Sequence, residues 1–433
     1  MKKVLLIALL SLGLGVPLFA QAAAPPTAGI RAGDTAWMLM ATALVMLMTP
    51  GLAFFYGGLV RKKNVLGVLM QCMMALAVLS VMWVLVGYSL AFSPGGTYIG
   101  NLRFAGLEGI GMGASSYAPT IPALLFVLFE MMFAVITPAL VAGAFVERMK
   151  FSVYILFIVL WSLVVYYPVC HWMWSRGGWL AAMGARDFAG GIVVHITAGF
   201  AALVTAAYVG RRGNGLHFPT PHNLPFTVLG AALLWFGWFG FNAGSAFGAN
   251  SLSANAFLTT NTSAAMAAIV WAILDRLTTG KPTVLGTATG AVAGLATVTP
   301  ASGYVDVWGA IAIGATSALV CYAMVALVKP RLKFDDTLDA FGVHGVGGLW
   351  GTLMLGVFAV PSVNGIRGLV TGAVHQLGVQ ALASLVTVAY TVVATFAVIK
   401  AIDLTVGVRV PNRDEDIGLD LAQHNERAYT LVD

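Results

Sequence analysis

Eleven long apolar runs, separated by short polar loops, decide what this 433-residue chain can become. An α-helix needs about 20 mostly apolar residues to cross the hydrocarbon of a bilayer. The runs lie at roughly 35–59, 64–92, 120–145, 152–173, 187–209, 224–247, 254–275, 283–299, 303–328, 340–358 and 372–400. The expected fold class is therefore an all-α polytopic membrane protein with eleven transmembrane helices. Composition agrees, since 59% hydrophobic residues, 9% charged residues and a mean hydropathy of +0.88 exclude an ordinary soluble domain. Ahead of the runs stands MKKVLLIALLSLGLGVPLFAQAAAPP, with two lysines, an apolar stretch and small residues around Ala20 and Ala22. That pattern reads as a cleavable secretory signal. Residues 1–22 are assigned to it, 23–400 to the eleven-helix domain and 401–433 to a polar C-terminal tail.

Basic residues then set direction, because lysine and arginine near span ends are retained in the cytoplasm. Loops after odd-numbered spans, with the tail, hold sixteen of them, against five on the other side: Arg31, Arg103, Arg176, Arg186 and Arg367. The mature N-terminus is expected outside and the C-terminus in the cytoplasm. Two stretches echo one another, DFAGGIVVH ending at His195 in span five and DAFGVH ending at His344 in span ten. Spans 1–5 and 6–10 therefore read as pseudo-repeats, and five being odd, the second is inverted. Such folds place their site near mid-membrane where the repeats meet, so the two histidines are expected to face each other.

Polar groups inside a bilayer are costly and ask for a reason. A lone intramembrane His reads most simply as a packing residue bonded to a nearby carbonyl; two at equivalent positions favour a shared site. Neutral imidazole both donates and accepts, so a facing pair can pass a proton. No metal is expected, because the histidines show no ligand spacing on any helix. The three cysteines, Cys72, Cys170 and Cys321, form neither a disulfide framework nor a redox motif. NAGSAFG lacks the glycine of a nucleophile elbow, and no phosphate-cradling loop is present. Asp187 and Asp339 precede helix starts, where carboxylates favour exposed N–H groups. Asp339 reads as a cap, while Asp187 also points a negative charge toward the candidate path. Glu130, within VLFEMMFAVI, is either protonated by burial or faces a wet cavity. Phe129 and Phe133 share one helix face, Phe241 and Ser245 another, and Trp174 ends span four. These five residues are read as a candidate outward-facing funnel.

Taken together, PGLAFFYGGLVRKKNVL, GAFVERMKF, DFAGGIVVH, PHNLP, GWFGFNAGSA, VTPASGYV, DAFGVHGVGG and DLTVGVRVP resemble the ammonium transporter family, the Amt/MEP/Rh group, across the whole mature chain. The resemblance implies a bacterial inner-membrane homotrimer that takes up ammonium, is not an enzyme, needs no cofactor or metal, and binds no nucleic acid. It implies an ammonium-recruiting site of Phe129, Trp174 and Ser245 with Asp187 nearby, a gate of Phe133 and Phe241, and a pore lined by His195, His344, Trp238 and Thr299. Glu130 departs from the family pattern, which has Gln there. The tail is expected to dock on the cytoplasmic helix ends and to help present a surface for a trimeric PII-type signal protein. Two alternatives stay open: an ammonium sensor acting mainly through PII docking, and a Rh-like gas channel. The intact Trp174 and Ser245 favour the Amt branch over the second.

Overall fold

The computed structural model describes residues 29–213, 221–332 and 335–429, and among these residues every named element is helical. The expected signal over 1–22 lies outside them. Eleven principal helices follow in order: α1 Ala32–Leu59, α2 Val65–Phe92, α3 Ala123–Ala144, α4 Phe151–Ala182, α5 Gly191–Val209, α6 Leu224–Ala243, α7 Ser251–Thr279, α8 Val284–Val298, α9 Val307–Arg331, α10 Phe341–Phe358 and α11 Val374–Val406. Ten are long and apolar enough to cross a membrane. α8 differs: its 15 residues reach about 22 Å at 1.5 Å per residue, short of the hydrocarbon width. It packs against α6, α7, α9 and α10, and its buried face runs from Thr289 without a break to Val298. α11 continues past the expected end at 400, to Val406.

α5 and α10 cross in the middle of the bundle at backbone contact. A Cβ at Gly199 would lie 2.0 Å from the nitrogen of Gly345, so only glycine lets these two helices meet as they do. Both helices also open on a π turn, Gly191–Ile196 in α5 and Phe341–Gly345 in α10. The two halves share more than that. The Asp187 carboxylate accepts the N–H groups of Gly190, Gly191, Ile192 and Val193 at 2.6–3.0 Å. In the second half the corresponding acceptor is Asp336, not Asp339: its oxygens take the N–H groups of Ala340 at 3.1 Å and Phe341 at 2.8 Å. DTLDAFGVH then aligns with DFAGGIVVH without a gap, each histidine eight residues after its capping aspartate. Position four of each copy lies in the left-handed region, as Gly190 at φ 118° and Asp339 at φ 59°. Asp339 instead pairs with Lys329.

One end of the bundle is highly charged. Glu147, from the α3–α4 loop, accepts from Arg61 at 3.2 Å, Asn64 at 2.7 Å and Arg212 at 3.1 Å. Arg212 in turn forks both oxygens of Asp335 at 2.8 Å, and Arg148 donates to the carbonyls of Ala144, Gly210 and Asp335. Loops after α1, α3, α5 and α9 thus converge on one ion network. Burial alone pushes the Glu147 carboxyl up, but Arg61 and Arg212, helped by Asn64, hold it below the ordinary carboxylate value. Asp335 is lowered likewise, with Arg148 and Arg212 outweighing burial.

The tail joins this end through two short helices, α12 Asn412–Ile417 and α13 Leu419–His424. Asp420 accepts the Gly67 N–H at the start of α2 at 2.8 Å, and the Leu419 N–H donates to Asn64 at 2.8 Å. Glu415 accepts from Arg409 at 2.7 Å and from the Gly213 N–H at 3.2 Å, just beyond α5. The tail therefore contacts the start of α2 and the end of α5 within this one chain.

Candidate functional site

At the end opposite the ion network, four rings form a continuous series. Trp174 packs edge-on to Phe133 with centroids 5.7 Å apart, Phe133 packs on Phe129 at 5.0 Å, and Phe129 on Phe247 at 5.8 Å. Phe129 and Phe133 are buried, whereas Trp174, Ser245 and Phe247 are only partly so, which makes the outer members the ones that meet solvent. Sequence reading gathered Phe129, Phe133, Trp174, Phe241 and Ser245 here, and the structure brings all five together. It missed Phe247, whose two-residue offset from Ser245 hides it from helical spacing, because the chain has left the helix there. The Ser245 hydroxyl donates to the Phe241 carbonyl at 2.9 Å. The Trp174 indole N–H donates to the backbone carbonyl of Asp187 at 3.1 Å. Asp187 thus holds Trp174 through its backbone while its carboxylate is occupied by the α5 N-terminus.

Next to these rings, Phe133 and Phe241 lie 4.3 Å apart, tilted at 41°. Beyond them a narrow cavity with about 10 Å³ of room is lined by Phe241, Trp238, His195, His344 and aliphatic side chains. That is space for roughly one water-sized molecule. His195 and His344 meet there, Nδ1 to Nδ1 at 3.2 Å, with rings 18° from parallel. They are 1% and 4% exposed, so both rings are buried. Trp238 stacks beside His195 at 5.6 Å, and its indole N–H donates to the Thr299 hydroxyl at 2.9 Å. Thr299 does not line the cavity; it fixes Trp238, which does. His344 also lines a wider vestibule of about 430 Å³ at the charged end, together with Tyr56, Asp275, Lys329 and Asp339.

The contact between two Nδ1 atoms has a chemical consequence. One ring must donate and the other accept, so a single proton lies between two neutral imidazoles. The donor ring is then left with a bare Nε2 and the acceptor ring with an Nε2–H. His195 Nε2 has no protein partner among the described residues. The pair can therefore take a proton at one end and release one at the other while remaining neutral overall. His195, His344 and Phe241 each sit in a π turn, where the extra residue per turn redirects a side chain; α2, α4 and α9 carry π turns as well.

Glu130 lines neither the narrow cavity nor the vestibule. It is 4% exposed and its Oε2 has no partner, so of its two sequence readings the wet cavity finds no support. Among the described residues no group of histidines, cysteines and carboxylates is arranged to hold a metal ion.

Comparison with known proteins agrees with this architecture. The sequence model of the Ammonium Transporter Family matches residues 36–429. The chain is 47% identical over 402 residues to an ammonium transporter of Bacillus subtilis (strain 168), covering 92% of this chain and 99% of that one. It is 47% identical over 400 residues to the ammonium transporter Amt1 of Archaeoglobus fulgidus, covering 92% and 99%. Among solved structures, Candida albicans Mep2 superposes with a TM-score of 0.86 at 34% identity, covering 93% of this chain and 94% of that one. A structure described as a sensor Amt protein superposes with a TM-score of 0.84 at 29% identity, covering 90% and 98%.

Proposed function

The chain belongs to the ammonium transporter family, and from that premise we propose that it recruits ammonium at the aromatic mouth, strips a proton from it and conducts ammonia past His195 and His344. The observation that carries this reading is the histidine pair, in bonding contact inside a cavity one small molecule wide, directly beneath a closed pair of phenylalanine rings. A bare cation taken into low dielectric loses several kcal/mol even after relaxation. Each aromatic face returns only about 0.5–2 kcal/mol, so rings select the cation at the mouth without carrying it through. Deprotonating ammonium, about two pH units below its pKa, costs roughly 3 kcal/mol at about 1.36 kcal/mol per unit. Losing the proton is the less costly route.

In this reading Phe129, Trp174 and Ser245 hold the cation, with Asp187, the cap of α5, behind them lowering the local potential. Phe133 and Phe241 separate for passage, and the histidine pair relays a proton and keeps the path narrow. The mouth faces outward and the ion network inward, as the side-dependent count of basic residues argues. The assembly is a homotrimer in a bacterial inner membrane, and its charged face, including the docked tail, receives a PII-type protein. Leu at both His195 and His344 tests the mechanism in proteoliposomes. The expected result is loss of proton-coupled, ammonium-selective current; undiminished current would overturn the relay.

One observation keeps a second reading in play, the structural likeness to a sensor Amt protein. Flux in liposomes free of any partner protein separates the two: a transporter conducts there, and a chain that only senses does not.

A further inference from the structure

We propose that Phe247 is a further specificity-determining residue of the mouth, its ring forming a second solvent-facing wall that binds the cation and limits its size. The inference rests on the recruitment reading above. Within the ring series Trp174, Phe133, Phe129, Phe247, the two inner rings are buried and Trp174 and Phe247 are partly exposed, Phe247 also packing on Phe126 at 5.3 Å. Each packs edge-on against its buried neighbour, at 87° for Trp174 on Phe133 and 80° for Phe247 on Phe129. The two outer rings are therefore presented alike, by a pair of buried rings that also touch each other.

The backbone supplies an independent observation. Phe247 sits at φ 53°, in the left-handed region that a bulky residue ordinarily avoids. The turn that puts it there is closed by the Phe247 N–H donating to the Gly244 carbonyl at 2.8 Å, and Ser245 lies inside the same turn. Gly244 presses on Phe129 so closely that a Cβ would come within 2.8 Å of the ring. Glycine at 247 would relax the turn, yet a phenyl ring is held there against its backbone preference. Strain of this kind concentrates where a side chain has work to do at a site. One turn thus carries a partly exposed hydroxyl, Ser245, and a partly exposed aromatic ring, Phe247, a combination suited to a small monovalent cation with N–H groups to donate. An added methyl group on that cation would have to fit between the two outer rings.

Three substitutions separate the ring's face from its bulk. Phe247→Leu keeps apolar bulk and removes the π face, and the half-saturation concentration for ammonium should rise roughly two- to fivefold, the worth of one exposed cation–π contact. Phe247→Tyr keeps the face and should match the parent. Phe247→Gly relaxes the backbone, and should both weaken ammonium affinity and raise methylammonium flux relative to ammonium. All are measured in proteoliposomes beside Trp174→Leu. If Trp174→Leu shifts half-saturation and Phe247→Leu does not, the role of Phe247 is overturned while the recruitment site stands. If neither shifts it, the recruitment reading itself falls. Equal effects of Leu and Tyr at 247 would show that packing alone matters there, and would also overturn the proposal.

Discussion

Trp238 owes its orientation to one hydroxyl. Its indole N–H is buried and finds its partner in Thr299, whose own hydroxyl hydrogen goes to the Leu295 carbonyl at 2.8 Å. Removing that acceptor leaves a buried donor unpaired, at a cost of about 1–3 kcal/mol. Thr299→Val should therefore lower the thermal midpoint and slow ammonium flux, because the ring beside His195 is no longer held. Thr299→Ser retains the acceptor and should restore both; a Val variant with parental flux would remove Thr299 from the machinery. Sequence reading placed Thr299 on the pore wall, and nothing in VTPASGYV distinguishes a wall residue from one that supports a wall residue one layer behind. The two histidines were more legible, because an imidazole in an apolar run is rare enough for its repetition to stand out. The capping aspartates were half legible. Asp339 lies nearer the helix start in sequence than Asp336, and only the backbone bonds reveal that it occupies the position of Gly190 and not that of Asp187.

At the scale of the helix, the site depends on how α5 and α10 begin. A helix N-terminus leaves its first N–H groups unpaired, and inside a protein with little water those groups need a fixed acceptor. Asp187 satisfies four of them and Asp336 two. Asp336 pays for this service with burial, which together with Asp339 pushes its carboxyl up to about 6 even though Lys329 pulls the other way. Asp336→Ala should destabilise the protein by about 1–3 kcal/mol, as loss of a cap with buried donors left behind. Asp336→Asn keeps one acceptor oxygen and should recover most of that. Thermal unfolding in detergent reads both, and ammonium flux should follow, since His344 sits eight residues further on, in the π turn that opens the helix Asp336 caps. Equal stability of the Ala variant and the parent would mean that α10 needs no cap. Apolar length predicted these helices well, but not their π turns, because hydropathy carries no record of whether a hydrogen bond closes over four residues or five. α8 shows the complementary gap: its apolar run yields a helix of only 15 residues, which ends just ahead of Pro300.

Over the whole molecule, charge is segregated, and its arrangement ties the halves together. Counting basic residues by loop located the charged end, but a count says nothing about partners. Glu147, Arg212 and Asp335 come from three loops far apart in sequence, and their convergence is a property of the folded bundle. The Glu147 side chain is fully buried between Arg61 and Arg212, so removing its charge leaves two guanidinium groups short of a counter-ion. Breaking a buried pair in this way typically costs about 3–5 kcal/mol, and Glu147→Gln should lose stability of that order at neutral pH. The pH dependence follows from sign. The folded carboxyls of Glu147 and Asp335 titrate below their unfolded values. Their stabilisation is therefore complete above the ordinary carboxylate value of about 4 and is lost as pH falls through the folded values. In a thermal series from about pH 7 down to about pH 3, the parent should hold its midpoint until the acid side of that range and then fall. Glu147→Gln should start lower and fall less, since one of the two titrating groups is gone. Parallel curves for the two proteins would show that the network contributes nothing that acid can remove.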